Sequence, residues 1–274
     1  MSTQPDAAWP PHVVAARNIS QHTDATIHDD EEARRRGFRG GLVAGRVLFS
    51  HLLHPLVAYQ GLDALHECRL SVRFQKPAYE GDRITVTRTP AGAPMTLQAS
   101  NDEGTPLATL TAEWPRPFAP PDARAARVPP AHDGTRILAD WASFTAGLPL
   151  PAWHWQPDSA DNISWCESIG ETLSAFREGV PLPLHPGLIP TATTEMLHAN
   201  LRIGGWVHSG STFLIHRLPR IGENLELRAT LEEKFERKGR RFGKIYVAVI
   251  ADGAVAVEEQ RTALITEPKA QAGA

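Results

Sequence analysis

The chain lacks most of the features that settle a protein's class at once. It has two cysteines, Cys68 and Cys166, with no CxxC pair and no metal-ligand spacing. A disulfide framework is excluded, and two reduced, mostly buried thiols are expected. Neither sign of charge dominates: 28 Lys and Arg against 31 Asp and Glu leave a formal net of −3. Nucleic-acid binders usually carry a basic surplus, so no nucleic-acid partner is expected. No stretch reaches the roughly 20 apolar residues of a membrane span. The start, MSTQPDAAWPPHVV, has neither the basic region nor the apolar run of a signal peptide. A soluble, cytoplasmic protein without a membrane partner is the expectation. There is no P-loop, no dinucleotide fingerprint and no G-x-S-x-G, so those chemistries have no support.

What is present is a weak internal duplication in 274 residues that are 42% apolar. Asn18–Ser20 and Asn162–Ser164 both read NIS. GLVAG at Gly41–Gly45 returns as GLIPT at Gly187–Thr191. KPAYEGDRITVT at Lys76–Thr87 returns as RLPRIGENLELR at Arg217–Arg228. The matches fall in one order at offsets of 141 to 146 positions, which points to two copies of one unit.

Each copy reads as a short strand, a polar loop, one long helix and an antiparallel meander. HVVAARNIS and ADNISW supply the first strands. GLVAGRVLFSHLLHPLVAYQG is apolar around much of its circumference, as a buried helix is. HPGLIPTATTEMLHANLRIGG is its counterpart, with Pro186 and Pro190 acceptable near the start. Alternating strands follow each helix, separated by turns such as Glu80-Gly81-Asp82 and Asp252-Gly253. One helix per sheet of four to six strands means a sheet wrapped on that helix. The expected fold is α+β: two tandem units, each an antiparallel sheet around a long central helix. The divisions are 1–114, a Pro-rich linker with a short helix (TRILADWASFTAG) at 115–157, a second unit at 158–267 and a tail at 268–274.

The stretch TDATIHDDEEARRRGFRGGLVAG, residues 23–45, runs into the first helix. A carboxylate and an imidazole a few residues apart can hold a water and share acid and base work. Backbone N–H groups at a helix N-terminus can meet a developing oxyanion. Glycines let backbone approach a ligand with no Cβ between. DDEEARRRG also reads as a capped first turn, its acids matched to the helix dipole.

The duplicated sheet-on-helix unit describes the double hot-dog architecture. TDATIHDD and GFRGGLVAG resemble the two halves of the motif of the MaoC-like, or (R)-specific enoyl-CoA hydratase, family. The resemblance implies a hydratase or dehydratase working across the 2,3 bond of an acyl thioester, with acyl-CoA as substrate and partner. It implies no metal and no redox cofactor. It places His28 and Asp24 as the acid/base pair and Gly45 as oxyanion donor, with Gly41 and Val43 beside it. The sequence departs from the motif: Asp24 lies one position nearer its histidine than the family's acid does, Ala25 and Thr26 replace Asn and Pro, and Ala44 replaces a histidine. A thioesterase, a non-catalytic acyl-thioester binder and a dehydratase of a non-thioester metabolite remain alternatives. The second copy carries Thr172 opposite His28 and is expected to keep the scaffold without the pair. A homodimer is a further possibility.

Other features have two readings each. His51 and His54 lack further ligands in sequence for a metal. Arg34, Arg35 and Arg36 suit either carrier phosphates or a solvated helix face. EKFERKGRRFGK (Glu233–Lys244) suits a nucleotide contact or a hairpin with a polar turn. PAWHWQP (Pro151–Pro157) suits an acyl-pocket cover or linker packing. His185 and His208 suit a pocket or satisfied core histidines.

Overall fold

The computed structural model describes residues 9–20, 27–89, 94–203 and 206–265. Asp24 and the tail at 268–274 lie outside the described residues. The first copy opens with β1 (His12–Ala15) and the short α1 (Asp30–Arg35), then the central α2 (Gly45–Gln60). Asp29 caps α1 by accepting from the Glu32 amide at 2.8 Å, and Asp30, Glu31 and Glu32 fill its first turn. Arg34, Arg35 and Arg36 form ion pairs one turn back with those acids, so this segment is a capped, solvated helix face.

Helix α2 is the core of the first copy. Val47, Leu48, Phe49, Leu52, Leu53, Leu56 and Val57 are all buried. Each such side chain contributes roughly 1.5–3 kcal/mol by leaving water. The helix contains Pro55, whose missing N–H removes one bond of the ladder. It stops at Gly61, whose φ of 75° lies outside the helical region. The meander follows as β2 (Cys68–Phe74), β3 (Arg83–Arg88), β4 (Met95–Ser100) and β5 (Pro106–Glu113). Period-two burial, as in β3, puts one face on α2 and the other in solvent.

The connection holds a two-residue strand, β6 (Ile137–Leu138), where a short helix was expected. Asp140 explains the difference: its carboxylate accepts from the Ser143 amide and its carbonyl from the Phe144 amide, closing a turn. The second copy begins at β7 (Trp153–Trp155), earlier than expected. Trp153 pairs with Leu227 as His12 pairs with Val86. The offset is 141 in both (153 against 12, 227 against 86). PAWHWQP is therefore the first strand of the second copy, and the division at 157 moves back. NIS at 162 lies inside α3 (Ser159–Ile169), not in a strand. A capping box of Asp158 and Asp161 starts that helix.

The second central helix is α4 (Leu188–Asn200), followed by β8 (Leu201–Arg202), β9 (Trp206–Ile215), β10 (Leu225–Arg237), β11 (Arg240–Ala251) and β12 (Ala254–Ile265). Lys238 and Gly239, both at positive φ, turn β10 into β11, so Glu233–Lys244 is a polar hairpin tip. The ten main strands form one sheet in the order β1-β3-β4-β5-β2-β9-β12-β11-β10-β7. The order runs symmetrically outward from the β2–β9 seam, where Cys68 faces Ile215 and Arg73 faces Gly210. Each half of the sheet holds its own helix. Phe49 of α2 stacks on Phe213 of β9 at 4.8 Å, which ties the halves through the core.

Candidate functional site at the mouth of the first central helix

His28 sits in a turn pinned on both sides. Its backbone carbonyl accepts from the Asn18 side-chain amide at 2.8 Å, and Leu42 N–H donates to the Ile27 carbonyl at 2.9 Å. The imidazole Nδ1 lies 2.7 Å from the Leu42 carbonyl. A carbonyl only accepts, so Nδ1 carries the proton and the ring orientation is set. Burial holds the pKa of His28 below the ordinary imidazole value. The Leu42 bond works against that shift and the charge of Arg46 adds to it. The ring is therefore neutral at neutral pH and competent as a base.

The three expected backbone contacts separate. A Cβ at Gly41 would overlap the His28 carbonyl oxygen and crowd the Asn18 amide, so glycine is needed there for close packing. The Gly41 N–H is taken by the Asp30 carboxylate at 2.7 Å, and the Val43 N–H by the Ala78 carbonyl at 2.8 Å. Neither amide is available to an oxyanion in this conformation. Gly45 opens α2 behind Ala44, which provides no side-chain cap, so its amide is one of those a helix leaves without an internal partner. A Cβ at Gly45 would press on the Phe74 ring. Phe74 in turn meets His208 edge-on at 5.0 Å across the β2–β9 seam. The α2 mouth thus lies where the two copies meet. Asp24, the expected acid, falls outside the described residues.

Arg46, which carries no motif signal, belongs to this mouth. Its Nη2 donates to the Ser20 hydroxyl at 2.8 Å, and its guanidinium stands 6.0 Å from the Trp165 ring of the second copy. Asn18 was also missed as a site residue. The signal for it was the repeated NIS: Asn162 pins the matching loop, donating to the Phe176 and Pro183 carbonyls and accepting from His185 N–H.

A second polar group lies farther along α2. Glu171 accepts from His54 Nδ1 at 2.7 Å and from the Thr172 and Leu173 amides. His185 Nε2 stands 3.8 Å from the other carboxylate oxygen, beyond hydrogen-bond range. His185 Nδ1 accepts from Trp165 Nε1 and from Gly187 N–H. His12 stacks on His54 at 3.7 Å, and His51 lies next to it, buried, with no bond at Nε2. Burial works against ionisation of Glu171, but the imidazoles of His185 and His54 and the Leu173 amide outweigh it and hold the carboxyl well below its usual range. The second copy therefore lacks a histidine in its aligned loop, yet its helix mouth is not apolar. Among the described residues no group of three or more His, Cys, Asp or Glu could hold a metal ion.

His208 belongs to a different network. Its Nε2 lies 2.7 Å from Ser211 Oγ, and Ser211 donates to Glu259, which also binds Thr193 and Arg261. The serine proton goes to the carboxylate, not to the imidazole, so this is no nucleophile–base pair. Cys68 and Cys166 are free and buried, and burial pushes their thiols up to about 12 and about 11; neither is a nucleophile near neutral pH.

No family model matches the chain, and no curated protein matches it. Solved structures do. A protein of Chloroflexus aurantiacus J-10-fl, named a MaoC domain protein dehydratase, aligns over 98% of this chain and 99% of its own, with a TM-score of 0.62 and 12% identity. A conserved Mycobacterium tuberculosis protein described as having a double hotdog fold aligns over 93% and 94%, with a TM-score of 0.60 and 14% identity. An oleoyl thioesterase, so named, of Lactobacillus plantarum aligns over 97% and 99%, with a TM-score of 0.53 and 10% identity. The likeness is one of fold: this chain is a double hot-dog. No helix among the described residues is long and apolar enough to cross a membrane.

Proposed function

We propose that the chain is a hydratase or dehydratase acting across the 2,3 bond of an acyl thioester, with acyl-CoA as the carrier form. The observation that carries this reading is His28: neutral, oriented by the Leu42 carbonyl, and set at the mouth of a helix whose first amide, Gly45, is not bonded within the helix. In the hydration direction, one group takes a proton from water as its oxygen attacks the β-carbon. Electron density moves through the α-carbon to the thioester oxygen, where Gly45 N–H and the α2 dipole stabilise it. A proton then reaches the α-carbon. His28 and Asp24 divide those two transfers. The sum is redox-neutral, so it needs no electron carrier, and polarisation by the helix end stands in for a Lewis acid.

The test is a panel of 2-enoyl-CoA and 3-hydroxyacyl-CoA substrates of several chain lengths. Enone absorbance and free thiol are followed together, with His28→Ala and Asp24→Asn alongside. Absorbance change without thiol release is expected, with losses of roughly 10²–10⁴-fold in each variant. Thiol release would instead assign a thioesterase. Variants as active as the wild type would remove His28 and Asp24 from the chemistry.

A further inference from the structure

Among the described residues, Arg261 is a buried guanidinium whose charge is matched, and Arg46 is a half-buried one whose charge is not. Arg261, 5% exposed, pairs with Glu259, which is fully buried, and binds the Thr194 hydroxyl and the Pro190 carbonyl as well. Among the described residues no carboxylate lies within ion-pair distance of Arg46. Its hydrogen bond is to Ser20, a neutral hydroxyl. Its Nε is shielded from solvent and has no partner. Glu195 of α4 attracts it from a distance but is exposed, and Arg261 repels it. Burial lowers its pKa, yet a guanidinium stays charged under all ordinary conditions. A charge partly withdrawn from water without a counter-ion is costly, and a fold that neutralises Arg261 so thoroughly has the means to neutralise Arg46.

From this we propose that Arg46 receives a carboxylate carried on the acyl chain of the substrate, so that the preferred substrates are thioesters of dicarboxylic acids. The inference rests on the function proposed above. The guanidinium fork matches a carboxylate through two parallel N–H groups. Ser20 fixes Nη2, and the Nε–H is left without a hydrogen-bond partner to give to such a ligand. The location selects the acyl part. Arg46 follows Gly45 in the first turn of α2, and its charge is felt at His28. The reacting carbons, not the far end of the carrier, lie there. A carrier phosphate shares the same anionic chemistry but sits at the end of the long pantetheine arm.

The experiment measures kcat/KM for four- to six-carbon enedioyl thioesters against neutral 2-enoyl thioesters of matched length. Each is presented both as the CoA ester and as the phosphate-free N-acetylcysteamine ester, to wild type, Arg46→Lys and Arg46→Met. A preference of roughly a hundredfold for the carboxylated substrate is expected, the scale of the loss when a donor withdrawn from water is left without its partner. It should fall toward unity in Arg46→Met and persist in the N-acetylcysteamine series. No preference in the wild type overturns the proposal, as does an Arg46→Met effect equal on charged and neutral substrates. An effect confined to the CoA esters would reassign Arg46 to a carrier phosphate. Calorimetric titration with the free enedioates gives an independent reading. Binding to the wild type and not to Arg46→Met supports the carboxylate site even if no thioester is turned over, in which case the proposed reaction fails and this site stands. Absence of binding together with absence of preference defeats it.

Discussion

Acid should loosen the contact between the two copies, and His51 offers the cleanest measure of it. The residue is 2% exposed on α2. Four titratable groups face it: His12 of β1, His54 of its own helix, and Glu171 and His185 of the second copy. Burial first and His12 second lower its pKa from the ordinary 6.5 to about 3, against the pull of Glu171. Between those values the unfolded chain binds a proton that the folded chain refuses. Stability contributed by the neutral ring is therefore full above pH 6.5 and is lost as the pH falls toward 3. Each pH unit in that window is worth about 1.4 kcal/mol, so pH 5 costs about 2 kcal/mol through His51. His51→Gln keeps a polar amide and removes the titration. Urea unfolding of both proteins at pH 7.5 and pH 5 gives a double difference in which groups common to both largely cancel. The variant should gain about 2 kcal/mol on the wild type over that interval. Parallel pH dependence would refute the reasoning, because it would mean that His51 accepts a proton in the folded state as readily as in the unfolded one.

Gly41→Ala should abolish turnover while leaving most of the sheet intact. The new methyl overlaps the His28 carbonyl and displaces the turn that holds the ring, and forced packing of this kind costs about 1–3 kcal/mol in a thermal melt. If His28 works as the base, the acid limb of kcat/KM should lie below the ordinary imidazole value of about 6.5, since burial lowers its pKa; a limb at or above that value would contradict the assignment. Glu259→Gln should destabilise the protein by about 3–5 kcal/mol in chemical unfolding, because it leaves the Arg261 charge buried and unmatched.

The parts of the fold that were legible in the sequence are those fixed by local pattern. Alternation marked the eight meander strands, and the apolar circumference of Val47 to Val57 marked α2. What misled was the NIS repeat. In the first copy it trails a strand, so the second was read the same way, although Asp158 and Asp161 already carried a helix start. WHW was passed over because three residues between prolines have no periodicity of their own; pairing with β10 makes them a strand. The site divides similarly. His28 and Gly41 could be placed through a motif. Arg46 could not, since a lone arginine signals nothing, and what matters about it is that no acid among the described residues pairs with it in three dimensions. Glu171 was missed because the imidazole bonded to it, His54, comes from α2, 117 residues away in sequence.

That last arrangement explains why the two copies, equal in topology, are unequal at their helix mouths. Both mouths are closely packed at their glycines, Gly41 and Gly187, but the polar groups beside them differ. A Cβ at Gly187 would overlap the Ser50 hydroxyl and the Trp165 ring, and Glu171 is held by His54 and two amides. At α2 the corresponding groups are the oriented imidazole of His28 and the guanidinium of Arg46, which has no acid within ion-pair distance among the described residues. One mouth holds the halves together, and the other is where the proposed reaction would take place. His54→Leu separates these roles. It removes the Nδ1–H donor of a carboxylate that is 2% exposed, and leaving a buried charge without its partner costs about 3 kcal/mol or more. Unfolding should report that loss, while turnover per folded molecule stays near the wild-type value at a temperature where the variant remains native. The opposite result, full stability with lost turnover, would place the reacting atoms at the α4 mouth and make His28 the structural histidine.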